Sequence, residues 1–484
     1  DISNLLDKNA LQISNVSYKS ITENDLYDLD KSKITPTINA KFESVNARGV
    51  FKGFISINPI IKDASGYKKV VSFTYTISNN SISNRNNNRN TFSVSAVSNS
   101  VLSTGNWYKF YIEKSGVYRI SKSFLQSLGL NVNVDPRTIK LYGNGGRMLP
   151  LLNDTPYPMD LEENAIQFIG EEDGVFDASD YILFYAEGVD TWNDESLTSV
   201  NLFADKTYYY VTANAGTGKR IVNAIEPSAA PSMQFNQFDD VLYYEKDLVN
   251  GGKVGRRWFG EQFNIDDSQE FSFTIPNIDI SVPVELKINT ASKSFGISSF
   301  NFNVNTTNLG TITFPPLVAF SGIEGYESTL NTTFNATSSS VSIRLTYDNG
   351  GVPNSNGYLD FIRLKTKRNL IGFGKQFMFF NDAEQTNIGI GQYNLTSASA
   401  ISQVWDVTDI YNVSKYVNTS GANFSFKVNL GTARKYVAVD LGDVFLPSKE
   451  SSSTVVNQNI KGTIFNDASG NFQDIDYLIF TPQF

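Results

Sequence analysis

Residues 105–130, GNWYKFYIEKSGVYRISKSFLQSLGL, decide the fold class of this chain. Polar and apolar side chains alternate through WYKFYI and again through GVYRIS, and this alternation predicts two strands that each bury one face. The two strands meet at Ser115-Gly116, a dipeptide that is typical of a turn. The stretch therefore predicts strand structure on both sides of a short connection.

A short helix is predicted directly after the second strand, within SKSFLQSLGL at residues 121–130. Ser121 can cap the first turn by accepting a hydrogen bond from a backbone N–H. Phe124, Leu125 and Leu128 share one apolar face, and Gly129 suits the left-handed conformation that often follows a last helical turn. Few other segments of the chain carry such signals.

The alternating pattern recurs along the whole chain, which has 484 residues and 13% aromatic side chains. Branched and aromatic side chains suit a pleated, half-buried surface, and a chain of this length exceeds what one core usually organises. We therefore predict a mainly β protein with several consecutive β-sandwich or jelly-roll-like domains and few short helices. The supporting segments include FKGFISI, VVSFTYTIS, YILFYAEG, TYYYVTA, EFSFTIP, VELKINT, SVSIRLTY and FSFKVNL.

Turn-rich breaks and changes of pattern divide the chain into five predicted parts. The last part carries DIDYLIF at residues 474–480, an apolar run that predicts a strand buried on both faces, as in parallel sheets. The chain is therefore expected to stop at the first strand of an α/β domain. The parts are an extended lead-in and β-sandwich (1–98), a β-rich domain with the short helix (99–232), a jelly-roll-like sandwich (233–369), a further β domain (370–474) and this terminal strand (475–484).

The composition excludes several classes of function. The sequence contains no Cys and no His, so it holds no Cys/His dyad, no Ser/His/Asp triad, no ordinary zinc site and no disulfide. The formal net charge of −9 disfavours nucleic-acid binding, which usually requires a basic surface. No stretch approaches the roughly 18–20 apolar residues of a membrane span. We therefore predict no direct membrane insertion, so that any membrane association comes through a partner.

Three local patterns suggest binding sites, but each has a structural interpretation that we prefer. Asp173, Asp177 and Asp180 lie in the loop EEDGVFDASD and offer oxygen ligands for calcium, yet their spacing is not that of an EF-hand, and Asp side chains often cap turns. The strings GNGG (143–146) and NAGTGKR (214–220) lack full phosphate-loop spacing and indicate turns. Arg256-Arg257 beside Trp258-Phe259 could form a cation–π or anion-binding patch, but an amphipathic side chain packed over an aromatic ring at a sandwich edge is more common.

Several strings, taken together and in order, resemble the region that precedes the peptidase domain in gingipain-family cysteine peptidases, in particular the sortase of the type IX secretion system. The resemblance extends from Trp107 to Phe480. One departure is Lys461, where relatives tend to carry His. The strings are NWYKFYIEKSGVYRIS, LYGNGG with Met148-Leu149-Pro150, DYILFYAEGVDTW, DKTYYYVT, GYLDFIRLKTKRNL, VWDVTD, and VNQNIKG followed by DYLIF.

The resemblance implies that DYLIF is the first strand of a caspase-like peptidase domain whose catalytic His and Cys lie beyond this chain. It therefore gives this chain no catalytic residue, no metal ligand and no cofactor, and the chain alone should be inactive. For the intact protein it implies removal of C-terminal secretion signals from cargo and attachment of the cargo to surface lipopolysaccharide. The implied partners are an outer-membrane β-barrel of the PorV type, the peptidase domain and secreted cargo, at the outer face of the outer membrane.

Two other functions stay open from the sequence. An extracellular array of carbohydrate-binding β-sandwiches would share the fold class, because sandwiches support many unrelated functions. In that case the DIDYLIF strand would have no domain to begin. A hydrolase that uses a pair of Asp or Glu residues needs neither Cys nor His, and the sequence fixes no such pair.

Overall fold

The computed structural model describes residues 11–26, 29, 31, 34–47, 50–77, 99–152, 155–193, 195–251, 257–264, 267–464 and 479. The chain forms two compact units, Asp1–Ala96 and Val97–Phe484. Strands far outnumber helices in the described part, which confirms the prediction of a mainly β protein. The predicted DIDYLIF strand lies outside the described residues, apart from Ile479.

The first unit consists of antiparallel strands around a small core. β1, β5 and β4 form one sheet in that order, and β2 pairs with β3. Phe42 is buried, and Leu11, Ile55 and Ile77 pack against it. The strands are β1 (Leu11–Ser20), β2 (Asn39–Ala47), β3 (Val50–Asn58), β4 (Ile60–Asp63) and β5 (Gly66–Ile77), with a 3₁₀ turn at Glu23–Leu26.

The second unit begins with the stretch that predicted two strands and a helix, and all three are present. Ser121 Oγ accepts a hydrogen bond from Phe124 N at 3.1 Å, and Gly129 adopts the left-handed φ of 105°. The two strands nevertheless belong to different sheets. Gly116–Ser121 pairs with Tyr181–Ala186, whereas Trp107–Ile112 pairs with Thr207–Ala213 and with Thr454–Val455. The elements here are β6 (Trp107–Ile112), β7 (Gly116–Ser121), α1 (Lys122–Leu128), β8 (Ile139–Tyr142), β9 (Glu163–Asn164), β10 (Gln167–Ile169), β11 (Tyr181–Ala186), β12 (Thr207–Ala213) and β13 (Val222–Asn223), with 3₁₀ turns at Val101–Ser103 and Pro136–Thr138.

A β-sandwich follows, formed by two antiparallel sheets that face each other across an apolar core. One sheet has the order β15-β25-β20-β23, with β18 also paired to β25, and the other has the order β19-β24-β21-β22. Side chains from both sheets, such as Ile288, Phe300 and Leu364, share the core. The strands are β14 (Met233–Phe235), β15 (Gln237–Glu245), β16 (Val249–Asn250), β17 (Trp258–Phe259), β18 (Gln262–Phe263), β19 (Ser268–Thr274), β20 (Val284–Lys293), β21 (Ser298–Val304), β22 (Thr307–Phe314), β23 (Tyr326–Phe334), β24 (Ser340–Asp348) and β25 (Asn356–Asn369).

Strands in the last part of the second unit pair with strands of its earlier parts. β13 and β14 pair in parallel with β29 and β27, and β32 pairs with β6. The domain limits predicted inside residues 99–474 stay predictions. The elements are β26 (Phe377–Phe379), α2 (Asp382–Thr386), β27 (Ile390–Leu395), β28 (Ile401–Asp406), β29 (Ser414–Val417), β30 (Phe424–Asn429), β31 (Tyr436–Asp440), β32 (Thr454–Val455) and α3 (Ile460–Ile464).

None of the helices in the described part of the chain is long and apolar enough to cross a membrane.

Candidate binding surfaces

The acidic loop at residues 171–180 forms hydrogen-bonded turns. Val175 N donates to Asp173 Oδ1 at 2.9 Å, and Asp177 N donates to Asp180 Oδ2 at 2.6 Å. Both aspartates therefore cap backbone N–H groups, as the structural interpretation expects. Within the described ranges no group of three or more acidic side chains is arranged to hold a metal ion.

The glycines of LYGNGG allow close packing and do not form a phosphate cradle. Gly143 N and Gly146 N already donate to the carbonyl oxygens of Glu162 and Glu187, at 3.0 and 2.9 Å. A Cβ atom on Gly146 would lie 2.3 Å from both Gly188 O and Thr207 Oγ1. Two N–H groups of the loop are thus occupied by backbone carbonyls, and the glycines allow close packing.

The second glycine string, at residues 214–220, is also held as a turn. Gly218 N donates to Arg137 O at 2.9 Å, and Lys219 N donates to Glu163 Oε1 at 2.6 Å. Arg220 forms an ion pair with Glu171, with Nη2 2.7 Å from Oε2. The basic end of this string is therefore neutralised by the acidic loop.

Arg257 packs over an aromatic ring, as predicted for the pair Arg256-Arg257, whereas Arg256 lies outside the described residues. Its guanidinium lies 4.7 Å from the centre of the Phe259 ring and forms ion pairs with Glu327 at 2.6 Å and Asp360 at 2.9 Å. Burial raises the pKa of the Asp360 carboxyl to about 6, although the guanidinium opposes this shift. These contacts flank a cavity of about 270 Å³ that is also lined by Tyr358.

A larger concave surface, which we call the Trp192 groove, has a volume of about 430 Å³. The Trp192 ring meets the Phe361 ring edge-on at 5.0 Å between centroids, and the Arg363 guanidinium lies 5.6 Å from the Trp192 ring. The buried Nε of Arg363 has no hydrogen-bond partner in the structure. Lys365 and Lys435 also line the groove, together with Asp240 and Asp382, and Lys365 forms an ion pair with Asp382. The groove therefore combines an aromatic ring with charges of both signs.

The Trp192 groove continues across the outer face of the sandwich. In the sheet register Arg363 lies between Tyr243 of β15 and Lys287 of β20. A second concavity of about 470 Å³ is lined by Arg363, Lys287 and Asn331. Sequence reasoning missed this surface, because its residues come from strands that are far apart in the chain.

A third surface is apolar, and we call it the apolar tip. It consists of five side chains from two loops of the sandwich, and their exposed fractions range from 47% for Ile323 to 107% for Phe320. None of them belongs to an alternating segment, so no sequence pattern indicates this surface. The five residues are Phe295, Ile297, Val318, Phe320 and Ile323.

These features define a class of protein: a mainly β chain with several sheets and with concave and apolar surfaces. Its whole sequence contains neither the Cys nor the His of a peptidase dyad. No protein-family model matches the chain, and no curated protein matches it. Among solved structures, it is similar to dimeric latent PorU from Porphyromonas gingivalis, with a TM-score of 0.64 and 21% sequence identity.

The match to PorU covers 76% of this chain and 34% of that chain. The chain thus spans about a third of the PorU structure, and the likeness confirms the predicted resemblance at the level of the fold. A second match is the CBM36-1 domain of a multidomain xylanase from the hindgut metagenome of Trinervitermes trinervoides, with 8% identity over 26% of this chain and 95% of that chain and a TM-score of 0.18. A third is a CBM36 module in complex with calcium and xylotriose, with 16% identity over 26% of this chain and 98% of that chain and a TM-score of 0.19. Scores this low do not support a common fold.

Proposed function

We propose that this chain is the non-catalytic scaffold and docking region of a PorU-like sortase of the type IX secretion system. The observation that carries the proposal is the PorU-like fold over three quarters of the chain, combined with a sequence that has no Cys and no His. A PorU-like chain without these side chains supplies structure and binding surfaces, while the cysteine chemistry resides in a separate peptidase domain.

In this proposal the peptidase domain removes C-terminal secretion signals from cargo and attaches the cargo to surface lipopolysaccharide. The chain described here positions that domain at the outer face of the outer membrane. The purified chain alone is therefore expected to cleave no secretion-signal peptide and to stay unlabelled by a thiol-directed active-site probe. Cleavage by the chain alone would contradict the proposal.

Attachment to the membrane is proposed to rest mainly on a protein partner, an outer-membrane β-barrel of the PorV type. The chain has a net charge of −9 and is therefore repelled by an anionic lipopolysaccharide surface. A protein partner can bind it more favourably than the lipopolysaccharide can. Specific protein interfaces are enriched in Trp, Tyr and Arg. The Trp192 groove combines these side chains in one concave surface, and it is the contact that we would test first.

The test is a pull-down from outer-membrane extract with this chain as bait, in wild-type form and as Trp192→Ala. Trp258→Ala is the matched control, because Trp258 is 39% exposed and does not line the groove. We expect the barrel to be recovered by the wild type and the control, and to be lost with Trp192→Ala. If the barrel is recovered only when the peptidase domain is also present, the docking site lies outside this chain.

A carbohydrate-binding role is the second candidate, and the observation that favours it is the partly exposed Trp192 ring in a concave, charged groove. Titration of the chain with a panel of soluble glycans, followed by tryptophan fluorescence, separates the two functions. Saturable glycan binding that Trp192→Ala abolishes, without recovery of any barrel, would favour the carbohydrate-binding role.

A further inference from the structure

The strand β15 is an edge of the sandwich and borders the Trp192 groove. It stands at the end of its sheet, whose order is β15-β25-β20-β23, and Val241 and Tyr243 line the groove. The outer side of an edge strand carries backbone N–H and C=O groups that have no partner strand, and such groups can pair with another extended chain. The direction in which these groups point therefore decides what the groove can bind.

A neighbouring residue of the same strand fixes this direction. Asp239 lies opposite Lys367 of β25 in the register, yet its N–H donates to Phe380 O at 2.8 Å, so its backbone polar groups point away from β25. In an antiparallel pair, alternate residues direct these groups toward the partner strand and away from it. The N–H and C=O groups of Val241 and Tyr243 therefore also point away from β25, to the open side of the sheet.

Beyond Asp239 this side of β15 is open. The contact with Phe380 is an isolated antiparallel bridge, and β26, which precedes Phe380, belongs to a different sheet. Within the described residues, Val241 and Tyr243 have no backbone partner on this side. The bridge shows that the edge pairs with an antiparallel chain, and the groove of about 430 Å³ offers room for a further chain to continue that pairing.

Side chains from two other elements enclose the open edge. Met378 and Phe379 of β26 line the same groove as Tyr243. The Trp192 ring lies 6.0 Å from the Tyr243 ring between centroids, and the Tyr243 hydroxyl donates to Asp190 O at 2.9 Å. A ligand that pairs with the edge would therefore also contact aromatic and apolar side chains, which includes the ring that the Trp192→Ala variant removes.

The charges of the groove favour an acidic residue on the ligand. Asp240 and Asp382, which line the groove, each already form an ion pair with a basic side chain. Arg363 and Lys435 line it as well, and among the residues that the structure describes neither has an acidic partner within ion-pair distance. Positive charge is thus left for a ligand to neutralise.

We propose that an extended segment of an extracellular loop of the barrel partner adds to β15 as an antiparallel strand, beside Val241 and Tyr243, with an acidic side chain directed at Arg363. The inference rests on the proposed docking of a barrel at the Trp192 groove, and it names the part of the barrel that binds and its conformation. Outer-membrane barrels have long extracellular loops, and a chain at the outer face of the membrane meets those loops.

Strand addition suits this edge better than a small ligand does. Val241 and Tyr243 present donors and acceptors that repeat about every 7 Å along β15, and the backbone of another extended chain has the same repeat. In this mode of recognition, main-chain hydrogen bonds supply affinity and the side chains around the edge supply specificity. The acidic residue and the contact with Trp192 would supply the specificity here.

The first test is titration of the full 484-residue chain with the purified barrel. Val241→Pro removes the outward N–H and places a ring at the open edge, and Pro is tolerated in edge strands whose N–H faces solvent, so its unfolding temperature should stay close to that of wild type. Its Kd should rise about tenfold or more. Val241→Thr is the matched control, because it keeps the N–H and the branched shape, and its Kd should equal that of wild type.

The second test uses the wild-type chain and synthetic peptides that cover the extracellular loops of the barrel. Single N-methyl groups are placed along the peptide that binds. Methylation should weaken binding at every second residue of the paired segment and leave it unchanged at the residues between, because only alternate N–H groups face β15. Replacement of the acidic peptide residue by its amide should weaken binding to the wild-type chain and have no further effect on Arg363→Gln.

The outcomes separate this inference from the docking proposal. Equal Kd values for Val241→Pro and wild type, with binding lost in Trp192→Ala, would overturn strand addition and leave docking at the groove intact. A loss in Val241→Thr as large as that in Val241→Pro, or N-methyl effects without alternation, would also overturn it. No binding of the barrel to the wild-type chain would overturn both proposals. If Val241→Pro unfolds at a lower temperature than wild type, the N-methyl series decides, because it leaves the chain unaltered.

Discussion

The buried carboxylate of Glu384 offers a sharp test of how the C-terminal part of the second unit is held together. Glu384 lies on α2 and is fully buried. Its Oε2 accepts a hydrogen bond from the Tyr393 hydroxyl at 2.7 Å. Its Oε1 accepts one from the Tyr436 hydroxyl at 2.8 Å and one from Arg434 Nη1 at 2.6 Å. Glu384→Leu removes both acceptor oxygens and so breaks all three hydrogen bonds, one from a cation and two from buried hydroxyls.

The expected loss in the free energy of unfolding follows from these contacts. Removal of one partner from a buried ion pair costs about 3–5 kcal/mol, and each orphaned hydroxyl adds about 1 kcal/mol. Arg434 keeps an ion pair with Asp406, with Nε 3.7 Å from Oδ2, and a hydrogen bond to Asn429 O at 2.6 Å. Its side chain is also 21% exposed, and all three features reduce the penalty. We therefore expect Glu384→Leu to lose about 3–5 kcal/mol.

The assay is urea denaturation followed by tryptophan fluorescence, in which the fully buried Trp405 reports on this part of the fold. Glu172→Leu is the control, because Glu172 is exposed in the acidic loop and its loss should change stability by less than about 0.5 kcal/mol. Tyr436→Phe removes a single hydroxyl and should cost about 1 kcal/mol. A loss below about 1 kcal/mol for Glu384→Leu would refute the view that this carboxylate organises the core.

Three further predictions concern local features. Burial raises the pKa of the Asp360 carboxyl to about 6, above its unfolded value of about 4. Its contribution to the free energy of unfolding is therefore full below pH 4 and is lost as the pH rises through 6. Asp360→Asn should flatten this part of the stability profile, measured by urea denaturation at a series of pH values. Ser121→Ala removes the cap of α1 and should cost about 1 kcal/mol in the same assay, and an unchanged midpoint would speak against the cap. Gly146→Ala forces a methyl group against Gly188 O and should lower the free energy of unfolding by more than about 1 kcal/mol. Gly251→Ala is the control and should be tolerated, because its new methyl group would lie no closer than 3.6 Å to another side chain.

Local chemistry explains which parts of the fold the sequence could predict. The alternation in β6 and β7 and the capping signals of α1 depend on neighbouring residues, and the structure confirms all three elements. Strand partners depend on contacts across the chain, so the sequence did not show that β6 and β7 enter different sheets. It also did not show that β32 returns to pair with β6.

The candidate surfaces were harder to predict than the strands. The Trp192 groove joins Trp192 to Arg363 and Lys435, and only the tertiary fold brings these residues together. The apolar tip draws its five side chains from two separate loops, so no sequence window contains them together. One of them, Phe320, has a left-handed φ that the sequence does not indicate, because a bulky residue is rarely found there. By contrast, the capping roles of Asp173 and Asp180 follow from short-range turn chemistry and were expected.

The most direct test of the central proposal is the affinity of this chain for a purified PorV-type barrel, measured by titration alongside the intact protein with its peptidase domain. If these residues form the docking region, the Kd of the chain should lie within about tenfold of that of the intact protein, a difference of about 1.4 kcal/mol. If the chain shows no saturable binding while the intact protein binds, the docking site lies in the peptidase domain and the scaffold role proposed here is wrong.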